Sequence, residues 1–331
     1  MAKYPTKVFS DKFVITLQIV LLFFVSSAMA LEPSSHKAIN EYIANKNLTF
    51  NGFSLHNHLQ IQLGMQEGVE TYFARDGVNQ QLYKWLREGG ASEDWFVRPL
   101  NHFYNPLDNT GLNIWPLKSA LDWAQMTAGT QGVTGNYSWN DARVYYFWAL
   151  AADSRDMREQ HFADTFRALG QLMHLVEDMS SPAHARYDQH LFIEWYESWA
   201  ERNVTLSEDS TSLLISGEPS LHIFFQPSDS YPVNVRNLFD TNQYTDVNPD
   251  PSVTLSGNIG LSEYVNVNFF SDDTIDSQIF PSPRIDSAKK VSIDYASPYG
   301  TYKREYFYQA CNEESCGKTK AYGQLNTGSY L

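Results

Sequence analysis

Four positions separate His174 from Asp178 in the stretch HLVEDMSSPAH, and six more lead to His184. On an α-helix, side chains four apart share a face, so an imidazole and a carboxylate at this spacing can grip one metal ion. Pro182 lacks an N–H and is favoured at the first position of a new helix, with Ser181 as its cap. His184 then falls in the first turn of that helix and points a new way, so neighbouring histidines can serve different ions. A second pair, His190 and Glu194 in HLFIE, follows at once with the same spacing. Upstream, Asp94 in EDWF and His102 in NHFYNP occupy loop-like sequence, and His36 lies further back in PSSHKAIN. Imidazole and carboxylate together suit a zinc ion that activates water. Any one of these pairs alone would be an ordinary ion pair. It is their succession that points to a metal centre.

The elements that must carry these residues read as helices from Leu31 to about Asn203. EPSSHKAINEYIANK, NHLQIQLGMQEGVETYF, VNQQLYKWLREGG, WPLKSALDWAQM and WNDARVYYFWALAA each suggest one, with Gly89–Gly90 ending the third. The clearest is EQHFADTFRALGQLMHLVEDM, where Phe162, Phe166, Leu169, Leu172, Met173 and Val176 recur at helical spacing. Gly170 lies one turn before His174 on the same face and leaves space for another chain to approach. The expected fold class is all-α. A long irregular insertion, rich in Ser, Pro, Asn and Asp, occupies about residues 206–259. The helix GLSEYVNVNFF then returns to the first unit, which runs over 31–275. A C-terminal extension, 276–331, is rich in Tyr and Ser, with weak strand character.

Composition narrows the class. The chain has 331 residues and is 43% hydrophobic, enough for a sizeable core. Residues 1–30 carry Lys3, Lys7 and Lys12, then the apolar run FVITLQIVLLFFVSSAMA with a small-x-small end. That pattern is a secretory signal peptide cleaved after Ala30, and it predicts a secreted or periplasmic protein. Cleavage removes three Lys and one Asp from totals of 24 basic and 38 acidic residues, so the mature net charge is −16. Such a surface disfavours nucleic acid and anionic membranes unless a local cation intervenes. The only cysteines, Cys311 and Cys316, are too few for a Cys-based zinc site. The chain has no paired Glu-x-x-His motifs of the di-iron bundle and no CxxCH for covalent haem.

With the motifs HxxxDxxxxxH and HxxxE in place, the sequence resembles the zinc-dependent phospholipase C and S1/P1 nuclease superfamily of secreted, mainly α-helical phosphodiesterases. The resemblance covers roughly residues 31–273, interrupted by the insertion. It implies a phospholipase C/P1 nuclease-like fold and two to three Zn²⁺ ions. One ion would take Asp94, His102, His174 and Asp178, and a second His184, His190 and Glu194. A third would take the amino terminus of Leu31 with His36, bridged to the first by Asp178. Family members usually begin with Trp, so Leu31 is a departure, although the terminal nitrogen and carbonyl remain. Asp94 is also the candidate catalytic carboxylate. Trp95, just after it, is the candidate substrate-binding aromatic, suited to a choline cation or a stacked base. The other aromatics nearby, Phe96, Phe103, Tyr104 and Trp115, read as core.

The implied activity is phospholipase C-like hydrolysis of glycerophospholipids or other phosphodiesters by a monomer, with transient contact to membrane surfaces. The alternatives are a single-strand nuclease of the S1/P1 type, for which nucleic acid would be the partner, and a non-catalytic secreted metal-binding protein of the same fold.

Overall fold

The computed structural model describes residues 33–49, 53–188, 200–202, 204–206, 213–215, 234–244, 259–271, 274, 279–280, 285–297, 300–309 and 321–324. It is mostly helical. Helix α1 spans Pro33–Ile43 and α2 Leu55–Leu63; the hairpin β1 (Tyr72–Arg75) and β2 (Val78–Gln81) leads into α3 (Leu82–Glu93). Then come α4 (Ala120–Ala124), α5 (Trp139–Ala151), α6 (Arg155–Asp178) and α7 (Pro182–Ala185). Strands β3 (Val204–Leu206) and β4 (Leu213–Ile215) pair antiparallel, followed by α8 (Val235–Phe239) and α9 (Leu261–Asn268). At the C-terminal end β5 (Ile285–Ser297), β6 (Gly300–Gln309) and β7 (Ala321–Gln324) form an antiparallel sheet in sequential order. Among the described residues, no helix is long and apolar enough to cross a membrane. The segment 1–30, with its signal-peptide reading, lies outside them, as do Cys311 and Cys316.

Helix α6 is the axis of the core, and its period explains why. Phe162 and Phe166 face one apolar cluster with Phe73, Leu82, Trp85 and Leu86. Ala168, Leu172, Leu175 and Met179 face a second one with Tyr104, Leu121, Trp123 and Phe239. Ser154 caps α6 by accepting from Met157 N, and Ser138 forms a capping box with Asp141 on α5.

Several sequence expectations change here. Gly89–Gly90 does not end α3, which continues to Glu93. Gly89 instead lets α3 and α6 touch backbone to backbone, and Gly90 makes room for Asn40 of α1. A Cβ on Gly89 would fall 2.2 Å from Arg167 O, and one on Gly170 would fall 2.0 Å from Leu86 O. Gly170 thus does leave room for another chain, and that chain is α3. VNQQ, expected in the same helix as LYKWLREGG, is strand β2, because Asp76 (φ 50°) and Gly77 (φ 80°) make a left-handed hairpin turn before it. ETYF is likewise lost to helix: Gly64 at φ 66° ends α2, and Tyr72–Phe73 start β1. Helix α1 begins on Pro33 rather than on a serine cap, with Ser35 and His36 inside it. WPLKSALDWAQM keeps only a short helix, capped by Ser119. Within 206–259, expected to be irregular, α8 and β4 are ordered elements.

Helix α9 does return to the first unit. Asn266 Nδ2 donates to Ala185 O at 2.6 Å and to Asn105 Oδ1 at 3.1 Å, and Arg186 Nε donates to Thr274 Oγ1 at 2.8 Å. These bonds tie α7, the helix of His184, and the Asn105 loop to α9 and Thr274.

Candidate metal centre

The site forms where the C-terminal ends of α3 and α6 meet. The two helices run in the same direction, since Phe73, bound through its carbonyl by Trp85 Nε1 in the first turn of α3, stacks on Phe162, Gly90 lies against Gly170, and Asp94 reaches His174. Asp94 is the residue that ends α3, and His174 and Asp178 occupy the last turns of α6. His102 follows the short 3₁₀ turn Arg98–Asn101, His184 sits in α7, and His36 comes across from α1. His36, His102, His174, Asp178 and His184 are fully buried, and the Asp94 side chain is 3% exposed. Pro182 does open a new helix, but Ser181 does not cap it with its side chain, whose hydroxyl finds no partner.

Four atoms converge. His174 Nε2 lies 3.4 Å from Asp94 Oδ1, 3.2 Å from Asp178 Oδ2 and 3.3 Å from His102 Nδ1. His102 Nδ1 lies 2.7 Å from Asp178 Oδ2 and 3.8 Å from Asp94 Oδ1. An ion with four tetrahedral ligands at roughly 2.1 Å sets its ligands about 3.4 Å apart. The three separations from His174 Nε2 lie close to that edge length, and the two from His102 Nδ1 fall on either side of it. The other oxygen, Asp178 Oδ1, faces His36 Nε2 at 3.3 Å, so the carboxylate looks two ways. The His36–His174–Asp178 and Asp94–His102–His174 groups each have ligand atoms within 4.8 Å of one another and can hold a metal ion.

Among the described residues, both oxygens of Asp94, both of Asp178, His36 Nε2 and His102 Nε2 are buried without a hydrogen bond of good geometry. Buried carboxylates left that way are expensive. Among the described residues their ion-pair neighbours are histidines alone. Histidine protons therefore carry the compensating charge. Burial lowers His174, but the charges of Asp178 and Asp94 raise it well above its ordinary value. His102 is raised against burial by Asp178 and Glu93, and His36 against burial and His174 by Asp178 and Glu177. Burial would raise Asp178, yet His174 and His102 hold it well below the usual carboxylate range. A metal ion would replace those protons.

Each imidazole is aimed by its far nitrogen. His174 Nδ1 donates to Gly90 O at 2.8 Å, His184 Nδ1 to His102 O at 2.9 Å, and His36 Nδ1 to Glu177 Oε2 at 2.6 Å. His184 also stacks on Phe103 at 4.3 Å. Glu93 sits behind His102 Nε2 at 3.7 Å while binding Arg98 and Trp123 Nε1.

No family model, curated protein or solved structure matches this chain. The likeness to the phosphodiesterase superfamily thus rests on the motif residues themselves.

Of the residues singled out in the sequence, His36, Asp94, His102, His174, Asp178 and His184 come together. Leu31, His190 and Glu194 lie outside the described residues. Trp95 is 63% exposed beside Asp94, where Phe96 adopts a left-handed backbone (φ 63°). Phe103 and Tyr104 are core, but Phe96 is exposed and Trp115, at 91% exposure, is no core residue at all. Glu93, Glu177 and the Gly90 carbonyl were missed. Glu177 stands three positions after His174, and both glutamates directly precede an expected ligand, which was the available signal.

Proposed function

We propose that the chain is a secreted zinc-dependent phosphodiester hydrolase of the phospholipase C/P1 nuclease type, with glycerophospholipids as its substrate class. The observation that carries this reading is the convergence of Asp94 Oδ1, Asp178 Oδ2 and His102 Nδ1 on His174 Nε2, at 3.4, 3.2 and 3.3 Å. Two imidazoles and two carboxylates suit zinc, and two negative charges match one divalent ion. Bound zinc lowers the pKa of water to about 7 and neutralises charge on phosphoryl oxygens. Asp94 Oδ2, buried and without a hydrogen-bond partner, is available to take a proton from the attacking water. Asp178 Oδ1 and His36 form the edge of a further ion position, which the Leu31 terminus would complete. His184, with His190 and Glu194, would hold another. Trp95 offers an open aromatic face next to Asp94, where a choline headgroup can rest. The net charge of −16 from Leu31 onward favours a zwitterionic lipid over a polyanion.

The test is hydrolysis of phosphatidylcholine, single-stranded DNA and RNA by zinc-reconstituted protein beginning at Leu31. Release of diacylglycerol is expected, with slower or absent nucleic-acid cleavage. Fastest cleavage of single strands would install the nuclease reading. Stoichiometric zinc with no hydrolysis of any of them would leave a metal-binding protein without catalysis.

A further inference from the structure

Both helices that build the centre end in the same dipeptide. Glu93–Asp94 closes α3 and Glu177–Asp178 closes α6, and neither last turn contains a basic residue. Acidic side chains at a helix C-terminus oppose the helix dipole, so two such pairs side by side need a reason. In each pair the aspartate turns toward the ligand atoms and the glutamate goes behind a histidine. The two glutamates are not equivalent. Glu93 is bound by Arg98 Nε at 3.0 Å and Nη2 at 2.6 Å, so its charge is matched. Glu177 has no Lys or Arg ion partner among the described residues, and its side chain is 11% exposed. Its Oε2 accepts a hydrogen bond from His36 Nδ1 at 2.6 Å, while Oε1 has no hydrogen-bond partner among the described residues. His174 Nδ1, by comparison, donates to a neutral peptide carbonyl, Gly90 O.

We propose that Glu177 is a positioning residue that gives His36 a donor strength that the neutral carbonyl behind His174 does not supply. By holding the proton on Nδ1 it leaves Nε2, 3.3 Å from Asp178 Oδ1, as the nitrogen that gives up its proton to an ion. The unneutralised charge of Glu177 strengthens that nitrogen as a ligand. The position on the Asp178 Oδ1 side is thereby tuned separately from the Asp94–His102–His174 position. This rests on the zinc reading above, and the experiment separates the two.

Zinc stoichiometry and stepwise affinity would be measured by chelator competition on full chains starting at Leu31: wild type, E177Q, E177A, H36A and the double variant H36A/E177A. Melting of the zinc-free proteins checks the fold. E177A should weaken one ion by about 10- to 100-fold and leave the others within about twofold. E177Q should fall between, since its amide oxygen still accepts from Nδ1 but carries no charge. H36A should weaken the same ion, and adding E177A to it should have no further effect on affinity. Unchanged affinities in E177A, or equal weakening of every ion, would overturn the proposal while leaving the zinc reading in place. Wild-type protein that takes up no zinc would overturn both.

Discussion

Replacing Gly170 by alanine tests whether helix contact sets the metal geometry. The added Cβ would lie 2.0 Å from Leu86 O, 2.9 Å from Leu86 C and 3.0 Å from Gly90 N. Ordinary contact begins near 3.4 Å, so α3 must recede by about 1.4 Å or rotate. The obstacle is backbone on a neighbouring helix, which cannot swing aside as a side chain would. Overpacking of this kind costs about 1–3 kcal/mol, while alanine regains up to about 1 kcal/mol of helix propensity. A net loss of about 1–2 kcal/mol lowers the Tm by about 2–8 °C for a body of this size. The larger effect falls on the ligands. Asp94 ends α3 and Gly90 O aims His174, so the shift spoils the 3.4 Å Asp94–His174 separation and the 2.8 Å bond together. Metal sites tolerate only about 0.2 Å. G170A should thus fold, melt slightly lower without metal, and lose zinc affinity by about 100-fold or more. Calorimetric melts with and without zinc would show the added ion no longer raising the Tm. Wild-type zinc affinity in G170A would refute the claim that this backbone contact fixes the site.

Three further outcomes follow from the same geometry. In the metal-free protein His36, His102 and His174 are raised, so their contribution is full below about pH 6.5 and fades as pH rises above it. Asp178 is depressed, so its contribution holds above about pH 3.9 and fades below that. Metal-free Tm should therefore fall from pH 6 to pH 9 while zinc-induced stabilisation grows, and parallel slopes would contradict this. Glu263 Oε1 and Oε2 accept from Thr241 N, Thr241 Oγ1, Gln243 N, Tyr244 N and Gly260 N, pinning both flanks of residues 245–258. E263Q turns an amide donor toward those N–H groups and should cost about 2–3 kcal/mol in denaturant unfolding. W95A, at an exposed position, should keep full zinc yet raise KM for phosphatidylcholine several-fold, and an unchanged KM would remove Trp95 from the substrate site.

What the sequence made legible follows from what its signals encode. HxxxDxxxxxH was readable because α-helical spacing and the proline break fix directions locally, and His174, Asp178 and His184 do converge. Asp94 and His102 could be chosen by order along the chain, but only tertiary contact shows which of their atoms face the others. Gly89 and Gly90 were misread because glycine both ends helices and lets helices touch. The hairpin before α3 was missed despite its Asp76–Gly77 turn signal, since polar VNQQ runs smoothly into helical LYKW. Glu93 and Glu177 fall in no motif of their own and stand only beside an expected ligand. Their burial depends on the approach of His102 and of α1, separated from them by 9 and 141 positions, which no local pattern contains.

The most direct test is anomalous diffraction at the zinc edge from crystals of the reconstituted protein. The account predicts a peak about 2.0–2.3 Å from Asp94 Oδ1, His102 Nδ1, His174 Nε2 and Asp178 Oδ2 together. A second peak should lie on the Asp178 Oδ1 side, next to His36 Nε2. No peak within that cluster, with the histidines instead hydrogen-bonded to the two aspartates, would contradict the metal centre.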